Sequence, residues 1–304
     1  IRVQSEVERV VKGQRHHVES VLIALLAGGH VLLEGVPGTA KTMMARAVAQ
    51  VLGIEFRRVQ FTPDMLPADV SGTMTIRGDS LAFRPGPVFT NVLLADEINR
   101  TPPKTQSALL EAMAEGQVSV DGTSRMLPQP FIVIATQNPI EYEGTYQLPE
   151  AQLDRFLLKV RVGYPSEVDE IELLKIPRTA QIPTELGSLP VVTEKEELLD
   201  ARRQVDDVVV SDDVAGYVAR LVRASRELPA VEVGASPRAA VHLVAAARAS
   251  AWLSGRSFVT PDDAARLVHD VLSHRILLRP EAEIERYRVE DAIEAVIRAV
   301  AVPR

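Results

Sequence analysis

The 304-residue sequence contains no cysteine. Disulfides and thiolate metal sites are excluded on that ground, and a reducing compartment suits the chain, with the cytoplasm as the expected location. Its six histidines are scattered without HExxH or comparable ligand spacing, so a histidine-held transition metal is not expected. An excess of positive charge is also missing: 34 Lys and Arg stand against 41 Asp and Glu, a formal net charge of -7. A general nucleic-acid binder draws its affinity from neutralised phosphates, so no nucleic-acid partner is expected, and at most a local basic pore remains compatible. The most apolar stretch, Val21 to Leu33, is interrupted by Gly28, Gly29 and His30 and ends at Glu34. It falls short of the roughly 20 apolar residues of a spanning helix, so a buried helix running into a buried strand is expected and direct membrane insertion is not. Aromatics are few, and the single tryptophan, Trp252, sits in an Ala-rich helix as a packing residue.

What is present is an ordinary globular balance, 46% hydrophobic and 25% charged, on a chain long enough for two domains with a full apolar core. The start at Ile1 suggests that a few residues precede it. Val18, Val21, Leu22 and Leu25 recur at helical spacing and predict a helix over 14–27. His30–Glu34 reads as a short buried strand, then come a turn-rich Gly35-Val36-Pro37-Gly38 and an Ala-rich helix from Lys41 to Leu52. Strand, glycine loop and helix in that order open a phosphate-binding α/β sheet. Further buried strands are expected at 55–60, 92–95, 131–136 and 157–162, with helices over 102–114 and near 149–154, so the sheet is mostly parallel and covered on both faces.

Two segments break the rhythm. Thr62–Pro87 is rich in Pro and Gly, with strand-like pieces at 72–76 and 81–84, and Gln117–Leu127 reads as a hairpin turning at Asp121-Gly122. Surface decoration is an equal alternative for both. The α/β nucleotide domain is expected over 1–165, a Pro- and Gly-bearing linker over 166–192, and an all-helical domain over 193–304 with helices starting near Thr193, Ser211, Ser236, Thr260 and Val289.

The strongest chemical signal is Gly35-Val36-Pro37-Gly38-Thr39-Ala40-Lys41-Thr42, which fits the P-loop pattern except that Ala40 replaces the glycine before the lysine. In such a loop the backbone N–H groups and the helix N-terminus cradle phosphates, Lys41 reaches the β- and γ-phosphates, and the Thr42 hydroxyl binds Mg2+. Ala40 is tolerable there if its φ is negative. The second signal is the apolar strand Val92–Ala95 running into Asp96-Glu97. Neighbours on a strand point to opposite faces, so the two carboxylates have separate tasks: Asp96 in the Mg2+ shell, Glu97 as base for the attacking water. A third strand, Phe131–Thr136, ends in Gln137-Asn138-Pro139, which puts Asn138 at the edge where open parallel sheets bind ligands.

A P-loop, an Asp-Glu strand, a polar-ended strand and a helical C-terminal part together resemble the AAA+ ATPases. Within these the chain is most similar to the MoxR family, in Gly13-Gln14, Gly35–Thr42 with Ala40, Asp96–Lys104, Ala135–Pro139, Leu148–Phe156 and Ala235–Ala239. The resemblance covers nearly the whole chain and assigns 62–87 to the helix-2 insertion and 117–127 to the hairpin before the sensor strand. It implies ATP and Mg2+ as ligands, Asn138 as the sensor-1 residue, Gln14 near the adenine, Arg155 as an arginine finger reaching a neighbour's γ-phosphate, and Arg238 as the sensor-2 arginine on a lid helix. By local physics Arg155 is an ordinary solvated or C-capping arginine, whereas Arg238, a cation in the first turn of a helix, gains nothing from the dipole. The resemblance further implies a homo-oligomeric ring, a hexamer, that remodels or matures protein complexes. A partner with a von Willebrand factor A domain and installation of a metal cofactor go with it. The alternatives are a magnesium-chelatase-like motor subunit, a nucleotide-gated scaffold with little hydrolysis, and, least compatible with the charge, a DNA or RNA motor.

Overall fold

The computed structural model describes residues 2–36, 38–77, 80–138, 145–175 and 189–303. Pro37 and Pro139, and from the expected linker Pro177, Pro183 and Gly187, lie outside the described residues. Two compact units are present. One comprises the described residues within 1–148 and 160–200, the other those within 149–159 and 201–304. The segment 149–159 thus groups with the helical part, where a boundary near 165 had been expected.

In the first unit, helices α1 (Arg2–Glu8) and α2 (Arg15–Leu26) precede β1 (Val31–Gly35), α3 (Lys41–Val51) and β2 (Phe56–Gln60). The first irregular segment folds into α4 (Pro67–Ser71) and the hairpin β3 (Gly72–Arg77) and β4 (Ser80–Pro85). Then follow β5 (Val92–Asp96), a 3-10 turn at Ile98–Arg100, α5 (Pro103–Glu115), the hairpin β6 (Gln117–Val120) and β7 (Thr123–Met126), and β8 (Ile132–Gln137). Helix α6 (Glu150–Leu153), β9 (Leu158–Val162) and α7 (Glu167–Lys175) continue the chain. The sheet order is β2-β5-β8-β1-β9, and the pairings β2–β5, β5–β8 and β8–β1 are parallel. Val92–Ala95 and Ile132–Thr136 are buried throughout. Unbroken apolar runs of this kind are what a strand covered on both faces requires. His30 locks the entry to β1: its Nδ1 accepts from the Val133 N–H at 3.0 Å, so its Nε2–H donates to the Met113 carbonyl at 3.0 Å. The imidazole is thereby held neutral in one tautomer.

The two irregular segments are not independent decoration. The Arg125 guanidinium of β7 lies 4.0 Å from the centre of the Phe83 ring on β4, and Phe83 meets Phe89 edge-on. At the outer end of the β3–β4 ladder, Ile76 pairs with Leu81, and both are exposed, 80% and 69%. In the β6–β7 turn Asp121 and Gly122 have φ of +49° and +74°, the two positive values a two-residue hairpin turn of matching twist needs.

The second unit holds α8 (Lys195–Asp206, which begins in the first), α9 (Asp212–Ala224), β10 (Val231–Val233), α10 (Pro237–Leu253), α11 (Pro261–Leu272), β11 (Leu277–Leu278), α12 (Pro280–Ile284) and α13 (Val289–Ala299). The expectation of helix throughout is corrected by the antiparallel pair β10–β11 and by the bridge Val209–Phe258. These runs are too short to carry a readable alternation. The unit is sealed by α10 and α11, the second with a capping box at Thr260 and Asp263. Trp252 is half-buried and its indole N–H donates to Gln204 Oε1 at 3.2 Å. No helix among the described residues is long and apolar enough to cross a membrane.

His274, buried in this unit, donates from Nε2 to the Phe156 carbonyl at 3.0 Å. Burial first, then the neighbouring Arg275 cation, holds its imidazole well below the ordinary histidine range, with Lys159 and His242 acting in the same direction. The folded unit therefore binds fewer protons than the unfolded chain once pH falls below about 6.5, and stability drops as pH falls. The slope is at most about 1.4 kcal/mol per pH unit for one group. Thermal melts at pH 7.5 and 5.5 should show a larger acid-induced loss in wild type than in His274→Gln. Equal losses would show that His274 is not the sensing group.

Candidate functional site

The carboxyl ends of β1, β8 and β5 are adjacent, which brings Gly35, Gln137-Asn138 and Asp96-Glu97 to one edge of the sheet. Gly35 is required by close approach, since a Cβ there would stand 2.3 Å from the Val162 carbonyl oxygen. The loop beyond it bends through left-handed residues at Gly38 (φ +83°) and Ala40 (φ +56°). Ala40 is thus a correction to the expected negative φ. The N-terminus of α3 demands that conformation, at a cost of roughly 1–2 kcal/mol for a residue with a Cβ. Left-handed residues in such a turn aim successive N–H groups to one side, which makes an anion cradle.

Lys41 opens α3 and folds its ammonium back onto the loop. Nζ donates to the carbonyls of Gly35 at 2.9 Å and Val36 at 2.7 Å and to Thr39 Oγ1 at 3.2 Å. Burial pushes its pKa down from the usual lysine range, while the negative charges of Asp96 and then Glu97 raise it. An ammonium held on carbonyl oxygens beside two carboxylates is primed to exchange those oxygens for phosphate. Thr39 is buried, and its hydroxyl donates to the Val36 carbonyl at 3.1 Å. Gln14, also buried, donates its amide to the Thr39 carbonyl. Its Oε1 is buried without a hydrogen-bond partner among the described residues, and, its chain neighbours aside, none of the described residues lies within 4 Å of where a Gly38 Cβ would stand. An unpaired acceptor and open room beside a turn with two left-handed residues fit a nucleotide. Gln14 itself is placed against the loop.

Asp96 is the last residue of β5, and Glu97 has already left the strand with φ +56° and ψ +51°. Strand alternation therefore does not set the two carboxylates apart, a correction to that expectation: the backbone turns at Glu97. Thr136 on β8, which sequence reasoning did not single out, holds both. Its hydroxyl donates to Asp96 Oδ1 at 2.6 Å and accepts from the Glu97 N–H at 2.9 Å. The opposite oxygen of Asp96 accepts from Arg58 at 2.7 Å, and Glu97 Oε2 accepts from Gln60 at 2.7 Å and Arg100 at 3.0 Å. Thr136, next to the Gln137-Asn138 signal, was within reach of a motif search. Arg100 lies within the Asp96–Lys104 stretch, three residues from Glu97, whereas Arg58 and Gln60 carried no local sign. Asn138 is buried at the end of β8. Thr42 stands one residue after Lys41 in α3. The oxygen donors of Asp96 and Thr42 suit a hard cation such as Mg2+, and Asp96 already accepts a cationic guanidinium.

Arg155 and Arg238 belong to the second unit. Arg155 follows α6, half-buried, its N–H donating to the Gln152 carbonyl. Arg238 is the second residue of α10, and its Nη1 stands 3.9 Å from Asp154 Oδ2. Arg220 and Arg223 are exposed on α9, and the Nε of Arg226 donates to the Ala235 carbonyl.

Comparison with known proteins adds identity to this geometry. Residues 30–158 match the ATPase family associated with various cellular activities (AAA), and residues 223–296 match the AAA lid domain. The chain is 49% identical to the uncharacterized protein YeaC of Bacillus subtilis, over 98% of this chain and 92% of that one. It is 44% identical to the chaperone MoxR1 of Mycobacterium tuberculosis, over 98% and 81%. A crystal structure of a Cytophaga hutchinsonii protein provisionally assigned as an ATPase superposes with a TM-score of 0.92 at 40% identity, over 100% of this chain and 94% of that one. Magnesium-chelatase subunits match less, at 29–30% identity over 62–73% of the chain.

Proposed function

The chain belongs to the MoxR family of AAA+ ATPases, and we propose that it hydrolyses ATP with Mg2+ in a homo-oligomeric ring, a hexamer, to remodel or mature partner protein complexes. The observation that carries the hydrolytic part is electrostatic. The Lys41 ammonium, seated on its own loop, lies in the field of both Asp96 and Glu97. Lys41 would trade loop carbonyls for β- and γ-phosphate oxygens, with the N–H groups of residues 38–42 lining the rest of the polyphosphate. Asp96 and Thr42 would hold Mg2+, which supplies charge neutralisation on the phosphates. Thr136 keeps Asp96 and the Glu97 backbone in register, and Glu97 would take the proton of the attacking water. Asn138 would orient that water, and Gln14 would face the base. Arg155 would reach a neighbouring subunit's γ-phosphate and Arg238 would respond to nucleotide as a sensor.

The exposed Ile76–Leu81 pair supports a protein client, since an apolar pair on paired strands offers contact to an unfolded or partly assembled chain. The name of the M. tuberculosis relative points the same way. A partner with a von Willebrand factor A domain, a metal cofactor as cargo and a cytoplasmic location belong to the same proposal. The weaker match to magnesium-chelatase subunits does not favour that alternative, and a carboxylate at Glu97 whose charge acts on Lys41 speaks against an inert scaffold. Assembled protein with ATP and Mg2+ should release inorganic phosphate, and EDTA should stop it. A preparation that neither retains adenine nucleotide nor releases phosphate overturns the proposal.

A further inference from the structure

The second unit contains a side chain whose arrangement the hydrolytic machinery does not explain. Arg275, beyond the end of α11, has a side chain only 1% exposed. Its Nε donates to Asp154 Oδ1 at 2.7 Å, and Nη2 donates to the Asp154 carbonyl at 3.2 Å and to the Phe156 carbonyl. Nη1 donates to the Leu157 carbonyl at 3.3 Å and to the Val271 carbonyl, and His242 Nδ1 accepts from Nη2 at 2.6 Å. Four of these six acceptors therefore lie in Asp154–Leu157, and the carbonyls of Asp154 and Phe156 bracket Arg155 on either side. His274 donates to the same Phe156 carbonyl. The second oxygen of Asp154 faces Arg238 at 3.9 Å.

A buried charge is a poor way to stabilise a fold, because well-packed apolar residues of similar volume do as well or better. A planar guanidinium spreading its five N–H donors over a turn's backbone instead fixes geometry, which a lysine cannot reproduce. We infer that Arg275 is a positioning residue for Arg155. Through Asp154 and the carbonyls on both sides of Arg155 it clamps that turn to the helical unit, and so sets where the Arg155 guanidinium stands in a neighbour's nucleotide site. The inference rests on Arg155 acting in trans, as proposed above. It also makes Arg155 and Arg238 parts of one clamped cluster around Asp154, so that a displacement of one is felt by the other.

The test is subunit mixing. Arg275→Lys should keep ATP affinity, read with a fluorescent nucleotide, within about twofold, while turnover falls roughly 10²-fold, the loss a misplacement of about 1 Å produces. Mixing it with Glu97→Gln subunits, whose own sites are disabled but whose Arg155 is intact, should raise turnover at least about tenfold above either alone. Arg155→Ala mixed with Glu97→Gln is the reference. If that pair is not rescued, the trans role of Arg155 fails and this inference falls with it. If it is rescued and Arg275→Lys is not, the positioning role alone is wrong. Wild-type turnover in Arg275→Lys also overturns it. Should Arg275→Lys not fold, Asp154→Asn, which keeps the shape and removes the ion pair, is put through the same mixing with the same expectations.

Discussion

Arg155→Ala is expected to bind ATP as wild type does and to lose roughly 10³- to 10⁵-fold in the turnover of the assembled protein, about 4 to 7 kcal/mol at the transition state. The reason is locational. The P-loop, Asp96 and Glu97 all belong to the first compact unit, whereas Arg155 belongs to the second, on a turn that Asp154 and Arg275 hold. Removing its guanidinium leaves the loop contacts of Lys41, Thr39 and Gln14 untouched, so ground-state binding has no cause to change. Wild-type phosphate release should rise with protein concentration as rings form, and the variant should stay flat across the same range. Undiminished turnover in the variant under assembling conditions would remove Arg155 from the mechanism.

Glu97→Gln carries the second large effect. Glu97 Oε2 accepts hydrogen bonds from Gln60 and Arg100, and an amide oxygen can accept both, so the side chain keeps its position while losing its basicity. Hydrolysis should fall roughly 10²- to 10⁴-fold, the span of a general base, while nucleotide stays bound. Single-turnover measurements should then find ATP rather than ADP on the protein, and a pull-down with the variant should retain clients that wild type releases. If the variant turns over at the wild-type rate, the scaffold alternative gains and another group must be the base.

How far the primary structure leads can be judged residue by residue. Strand and helix positions in the sheet unit were readable because Val92–Ala95 and Ile132–Ala135 are continuous apolar runs and α2 repeats at helical spacing. The Asp121-Gly122 turn was readable because turn chemistry is local. Ala40 misled, because its side chain favours negative φ and only closure of the loop onto α3 forces it left-handed. Glu97 misled because strand alternation was extended one residue past the point where the backbone turns. Thr136 and Arg58 act across strands that pair only in the folded sheet; the motif beside Thr136 marks the strand end but not this contact, and nothing near Arg58 announces it.

The sequence alone therefore determined the chemistry on offer: a phosphate loop with its lysine, two carboxylates after a buried strand, a polar strand end, and no cysteine or basic excess to suggest another trade. These are short-range signals, each written within a few residues. Tertiary structure alone decided how those groups are held. It seats Lys41 on its own loop, couples Asp96 to Glu97 through Thr136, and sends Arg275 back across about 120 residues to bracket Arg155. Such contacts follow from burial and hydrogen-bond satisfaction between segments far apart in the chain, where no local propensity or periodicity leaves a trace.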